Sequence, residues 1–315
     1  MRKAATIVVA GLAALAFAGC STSTPSAATD PKPTATTSPT GTTLAAPALG
    51  DGGRIAVALK TGTVATVVSM NPDGSDLQKL TDGKLFDGCP DLGSEGKLIV
   101  FCRGSGNLYE IWLMDGTGGQ QRQLSTLGGW ATCPDISPDG QRVAFCGTTS
   151  QIDGATRDIW VIGVDGKNPV QLTNTPDEDD GYPAWSPDGS KILFSSTRGG
   201  GTPELWVMDA TGQNAHALTT GQSAGEAPAE WSPDGTKIAY SANGGVWVMP
   251  AAGGSATQLT KGPGDDSPAW SAKGNEIVYR HTDGNKTSLR IMSVQSGQIR
   301  AVPIDIDGVP AAPSW

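Results

Sequence analysis

The chain has 315 residues and a formal net charge of −9, with 43 glycines, 9 tryptophans, 5 cysteines and 2 histidines. Such acidity argues against charge-driven binding to nucleic acid or anionic lipid. The two histidines, His216 and His281, are too far apart in sequence to suggest the clustered ligands of a catalytic metal centre.

Residues 1–19, MRKAATIVVAGLAALAFAG, read as a secretory signal, in which Arg2 and Lys3 lead an apolar run that ends in small residues. The run is too short and wrongly flanked for a stable membrane span. Its FAGC ending resembles the lipobox of bacterial lipoproteins, with Phe17 where leucine is commoner, and the resemblance implies a lipid on Cys20. Residues 20–50 are mostly Ser, Thr, Pro and Ala, so burial cannot offset ordering entropy and a disordered tether is expected. Loss of Arg2 and Lys3 with the leader takes the net charge from −9 to −11. The mature protein is expected outside the cytoplasm, anchored by lipid to the outer face of the cell membrane, or to the periplasmic face in a Gram-negative cell.

Residues 51–315 carry an internal repeat. YPAWSPDGSKILFSSTRGGGTPELWVMDATGQNAHALT (182–219) aligns with PAEWSPDGTKIAYSANGGVWVMPAAGGSATQLT (228–260), with 133–173 and 89–125 as further copies and 267–294 as a weaker one. Successive copies share a position held by Leu92, Ile136, Trp185, Trp231, Trp270 and Trp315, in steps of 44, 49, 46, 39 and 45 residues. Each copy has four short β-like runs separated by turn residues, and four strands per 40–45 residues is the signature of a propeller blade. The first copy, 54–81, lacks a first strand, and GVPAAPSW at 308–315 matches one. The expected fold is therefore all-β, a six-bladed β-propeller of four-stranded blades closed by the C-terminal strand joining the first blade, which removes an exposed edge.

The motif PAWSPDGSKILFSSTRGG…LWVMD…LT resembles the repeat of TolB-type β-propellers over essentially all of 54–315. That resemblance implies a protein or peptide partner docking on one face or in the central channel. Related propellers also gate prolyl-oligopeptidase-like enzymes, but here the blades use up the chain and leave no hydrolase domain to gate.

The repeated Asp139, Asp188 and Asp234 of S-P-D-G belong to tight turns, one per blade, and cannot converge on one substrate atom. Trp185, Trp231, Trp270 and Trp315 on first strands, and Trp112, Trp160, Trp206 and Trp247 on third strands, read as blade-to-blade packing. Trp130 lies ahead of a first strand and is the candidate surface contact. The GxSxG match GQSAG, Gly221–Gly225, lacks the strand–turn–helix elbow that would make Ser223 a nucleophile, and His281 is the only later histidine.

What remains is charge. Asp87, Asp177, Glu178, Asp179, Asp180, Glu226, Asp265 and Asp266 fall in loops expected on one face, and Asp91, Asp135 and Glu230 fall on inner strands near the channel. These, with Trp130, are the candidate partner-binding residues, suited to a protein or basic peptide. A calcium site at Asp177, Asp179 and Asp180 is a lesser option, because the full spacing of a calcium-binding hand is missing.

Cys89 and Cys102 bracket one hairpin and Cys133 and Cys146 another. If Ile136 pairs with Val143, the same register opposes Cys133 to Cys146 and Cys89 to Cys102, which predicts two hairpin disulfides in an exported protein. A Cys89–Cys133 bond across blades stays open as an alternative. The resulting expectation is a monomeric binding or scaffolding module without cofactor or catalytic residues. A channel-based hydrolase or lyase is the alternative, and a cation-stabilised envelope protein the second.

Overall fold

A computed structural model describes residues 53–93, 96–151, 155–175, 177–262 and 264–315; the proposed leader, Cys20 and the whole tether lie outside them. Among the described residues there is no helix, and so none long and apolar enough to cross a membrane. The strands fall in six consecutive groups. They are β1 (Ile55–Thr61), β2 (Val64–Met70) and β3 (Gln78–Lys79); β4 (Phe86–Leu92), β5 (Leu98–Ser105), β6 (Leu108–Asp115) and β7 (Arg122–Gln123). Next come β8 (Trp130–Ile136), β9 (Arg142–Thr148), β10 (Asp158–Gly163) and β11 (Val170–Gln171), then β12 (Asp180–Trp185), β13 (Lys191–Ser196), β14 (Glu204–Asp209) and β15 (His216–Ala217). The last are β16 (Glu230–Trp231), β17 (Lys237–Ala242), β18 (Gly245–Pro250) and β19 (Thr257–Gln258), and β20 (Asp265–Trp270), β21 (Glu276–Asp283), β22 (Lys286–Ser293), β23 (Ile299–Val302) and β24 (Val309–Ser314).

β12–β15, β16–β19 and β20–β23 form three separate four-stranded antiparallel sheets. The other strands share one 12-stranded sheet, in which three antiparallel stretches are joined by single parallel pairs, Ala65 with Phe86 and Tyr109 with Trp130. The C-terminal β24 pairs with β1, Ala56 opposite Ser314 and Lys60 opposite Val309. The inner strands touch in the order β24, β4, β8, β12, β16, β20, and β20 touches β24.

The sequence motifs have local causes. In S-P-D-G the Asp139 carboxylate accepts from Ser137 Oγ at 2.5 Å and Gln141 N at 3.0 Å, while Gly140 takes a φ of 66° that a side chain would resist. Asp188 and Asp234 repeat the arrangement. The Leu-Thr or Leu-Ser that ends the first five copies is a polar plug. Thr81, Thr173, Thr219 and Thr260, with Ser125 in the same place, are buried and accept the backbone N–H of Val67, Ile159, Leu205, Val246 and Ile111, each from the third strand of its own copy. Trp185, Trp231 and Trp270 are buried among apolar side chains of neighbouring sheets, as their recurrence implied.

The expected cysteine register needs a correction. Ile136 does face Val143, but the ladder then shifts between Asp135 and Thr132, so Cys146 lies opposite Thr132, not Cys133. In β4 the same shift places Cys102 opposite Gly88, not Cys89. Each shift spans an X-Pro pair, and proline has no N–H to give the ladder. The residue before it takes a left-handed conformation, with φ of 46° at Cys89, 51° at Cys133, 50° at Tyr182 and 52° at Ser267. The cysteines are thus the bulge residues.

Candidate functional site

Asp91, Asp135 and Glu230 stand one residue before the inner-strand position of the tryptophan series, and each carboxylate reaches to the following inner strand. Asp91 accepts the backbone N–H of Ile136 at 2.9 Å, Asp135 that of Trp185 at 2.7 Å, and Glu230 that of Trp270 at 2.6 Å. At the chain terminus Ser314 Oγ accepts from Leu92 N and donates to Asp91, both at 3.0 Å. These side chains are latches between repeats before they are anything else.

The latches carry a proton-linked cost. The three carboxylates keep partial solvent contact by surface area yet are crowded by protein on all sides. Burial pushes Asp91 up to about 6 and Glu230 up to about 8, the Asp91 charge adding to the second shift while the Trp270 N–H opposes it. Asp135 rises too, through burial and then the Asp91 charge. The folded state therefore holds these protons more tightly than the unfolded one. Their stabilising contribution is full below about pH 4 and is lost as the pH rises through about 6 and 8. In Glu230→Gln the amide oxygen still accepts the Trp270 N–H, but no charge develops. The variant should melt level with wild type near pH 5 and several degrees above it near pH 9, by scanning calorimetry. A difference between the two proteins that ignores pH would refute the assignment.

The loop acids behave differently from an open negative face. Asp87 is fully buried and grips Arg103 through two bonds of 2.6 and 2.9 Å. Asp179 takes the backbone N–H and the guanidinium of Arg157, and buried Asp180 pairs with Arg198. Asp266 takes Arg280 at 2.7 Å by each of two nitrogens, and buried Asp265 takes His281 Nδ1 at 2.5 Å. The guanidinium of Arg103 also lies 4.6 Å over the Trp112 ring, and that of Arg198 lies 5.4 Å over Trp206. Glu178 accepts from Thr197 Oγ1, which leaves Asp177 and Glu226 as the exposed members of the predicted set. At the calcium option Asp179 and Asp180 are matched by Arg157 and Arg198, and no group of three or more His, Cys, Asp or Glu that could hold a metal occurs among the described residues.

Trp130 opens an aromatic ladder at this end of the inner strands. Its ring meets Tyr109 edge-on at 6.4 Å, Tyr109 meets Phe86 at 5.7 Å, and Trp130 Nε1 donates to Asn107 O at 2.8 Å. Leu85 and Leu108, which precede Phe86 and Tyr109 in the chain, are 39% and 37% exposed. Leu85 also lines a cleft of about 620 Å³ with Lys79, Asp82, Lys84 and Arg103, in which Lys84 pairs with Asp82 and Arg103 with Asp87. The sequence singles out Trp130 as a candidate surface contact, whereas no repeat pattern singles out Leu85 or Leu108.

GQSAG has packing reasons for its glycines. A Cβ on Gly225 would come within 2.5 Å of Ser195 Oγ, and Gly221 has a φ of 69°. Ser223 lies in the loop between β15 and β16, and its N–H faces Glu204.

The comparisons fit this architecture. The family model described as the TolB β-propeller domain matches residues 109–315. TolB of Acinetobacter baumannii is similar at 25% identity and a TM-score of 0.71, over 84% of this chain and 67% of that one. A protein of Agrobacterium tumefaciens assigned as TolB is 19% identical with a TM-score of 0.61, over 79% of this chain and 88% of that one. An oligogalacturonate lyase of Vibrio parahaemolyticus shares the fold alone, at 14% identity and a TM-score of 0.53, over 79% of this chain and 75% of that one. No curated protein sequence matches the chain.

Proposed function

The chain belongs to the TolB β-propeller family, and on that premise we propose that it is a lipid-anchored, six-bladed propeller that binds a protein segment outside the cytoplasm. The six strand groups are read as blades, and the cyclic order of inner-strand contacts supports a closed ring. Cys20 carries the lipid in this reading, and the protein is a monomer.

The observation that carries the binding site is the ladder of half-buried Trp130 and Phe86 joined through buried Tyr109, with exposed Leu85 and Leu108 next to Phe86 and Tyr109 in the chain. An apolar patch beside charged loops suits a peptide with a large apolar anchor. Asp177, Glu178 and Glu226 would favour basic residues flanking that anchor, whereas the matched acids hold the loops in place. In-cell crosslinking tests this, since Trp130→Ala should lose the partner that wild type captures, while Asp177→Asn with Glu226→Gln should weaken capture and its dependence on salt. Equal capture by wild type and the Trp130 variant, or turnover of a peptide or oligogalacturonide panel by the purified protein, would overturn the reading.

A further inference from the structure

We propose that Cys89, Cys102, Cys133 and Cys146 form one thiol–disulfide exchange site, in which oxidation first joins Cys89 to Cys133 across neighbouring repeats and exchange then passes the bond into the two hairpins. Cys89 and Cys133 hold the same repeat position, 44 residues apart, and their sulfurs are 3.8 Å from each other. The bulges that take them out of direct opposition to Cys102 and Cys146 bring their thiols together between β4 and β8. Cys102 remains a side-chain neighbour of Cys89, and Cys146 of Cys133, so the sulfurs follow the order 102, 89, 133, 146.

Access distinguishes the members of this row. Cys89 and Cys133 are half-buried, whereas Cys102 and Cys146 are 1% and 0% exposed. An oxidant therefore meets the central pair first. The hydrogen bond to the neighbouring thiol, Cys102 for Cys89 and Cys133 for Cys146, and then burial hold these two thiols well above their ordinary range, which makes oxidation slow near neutrality. Arg157 Nη1, 3.8 Å from Cys146 Sγ, pulls the other way and favours that thiolate as a late attacker.

The chemistry needs a two-electron acceptor, and a disulfide in the exported compartment is the class that supplies it. The Cys89 thiolate attacks the oxidant disulfide and releases one reduced thiol. The Cys133 thiolate then attacks the Cys89 sulfur and expels the second, so two protein thiols have lost two protons and two electrons. Cys102 next attacks the Cys89 sulfur, forms the Cys89–Cys102 bond and releases Cys133 as a thiolate, with no net oxidation. A second oxidant equivalent joins Cys133 to Cys146. The hairpin bonds suggested by the sequence are thus the end state, and the cross-repeat bond is the route to it.

The test is oxidation of the full chain carrying Cys20→Ser with oxidised glutathione near pH 8.5, quenched by alkylation over time and mapped by peptide mass. The Cys89–Cys133 peptide should appear first and give way to the two hairpin peptides. Cys102→Ala with Cys146→Ala should stop at the cross-repeat bond, two hydrogens lighter and without retained glutathione. Hairpin bonds that form with no earlier Cys89–Cys133 bond would overturn the proposal. So would a cooperatively melting double variant that stays reduced or glutathione-capped. If that variant does not melt cooperatively, the wild-type time course alone decides.

Discussion

Removal of residues 309–315 is expected to abolish cooperative unfolding of the entire propeller. The seven residues include β24, which pairs with β1 from Ala56–Ser314 to Lys60–Val309. Without them the β1 edge exposes main-chain donors and acceptors beside a cluster containing Ile55, Val57, Leu59, Val278 and Leu289, all 0–2% exposed. Trp315 is lost from the same cluster, and Asp91 and Leu92 N lose their Ser314 partner. A typical domain has only about 5–15 kcal/mol of net stability, and losing a whole strand with its apolar backing consumes an amount of that order. The truncated chain should show a broad thermal transition and bind a hydrophobic dye at room temperature. A synthetic peptide of 305–315 added in trans should restore a sharp melt. A truncated protein that melts cooperatively within a few degrees of wild type would show that β24 is not what closes the ring.

The pairing of β24 with β1 was legible in the sequence because it follows from the repeat: a first copy without a first strand, and a terminal GVPAAPSW that supplies one. The turn aspartates and core tryptophans were legible for the same reason, since a residue that recurs at one position in every copy answers to a local backbone or packing need. The cysteine register was not. Counting positions outward from the S-P-D-G turn assumes an unbroken ladder, and the break comes at Pro90 and Pro134, whose missing N–H was the available signal. The loop acids misled through distance in the chain. PDEDDG reads as a solvated loop, but its counter-charges come from Arg157 just before β10 and Arg198 after β13. Arg103 and Arg280, near the ends of their own second strands, do the same for Asp87 and Asp266. A cross-strand pairing of the acid with the basic residue of F-C-R or V-Y-R-H would have exposed two of these matches, because Asp87 faces Arg103 and Asp266 faces Arg280 in the ladder.

Those matched charges set the second large effect. Asp87→Ala is expected to cost about 3–5 kcal/mol, because it strands the Arg103 guanidinium in a site where its side chain is only 14% exposed. The guanidinium would keep Gln121 and the Trp112 face, but it would lose the carboxylate that grips it directly. Arg103→Met leaves the converse problem, a carboxylate with no solvent contact, though the methionine still covers Trp112. In the double variant Asp87→Ala with Arg103→Met neither charge is left behind, and most of the lost stability should return. The expected coupling is about 2 kcal/mol or more in favour of the pair, measured by urea unfolding of the four proteins in a double-mutant cycle. The exposed Asp82–Lys84 pair, with side chains 58% and 81% exposed, is the control, and Asp82→Ala should change stability by less than about 0.5 kcal/mol. If the losses at Asp87 and Arg103 simply add, the pair contributes packing alone.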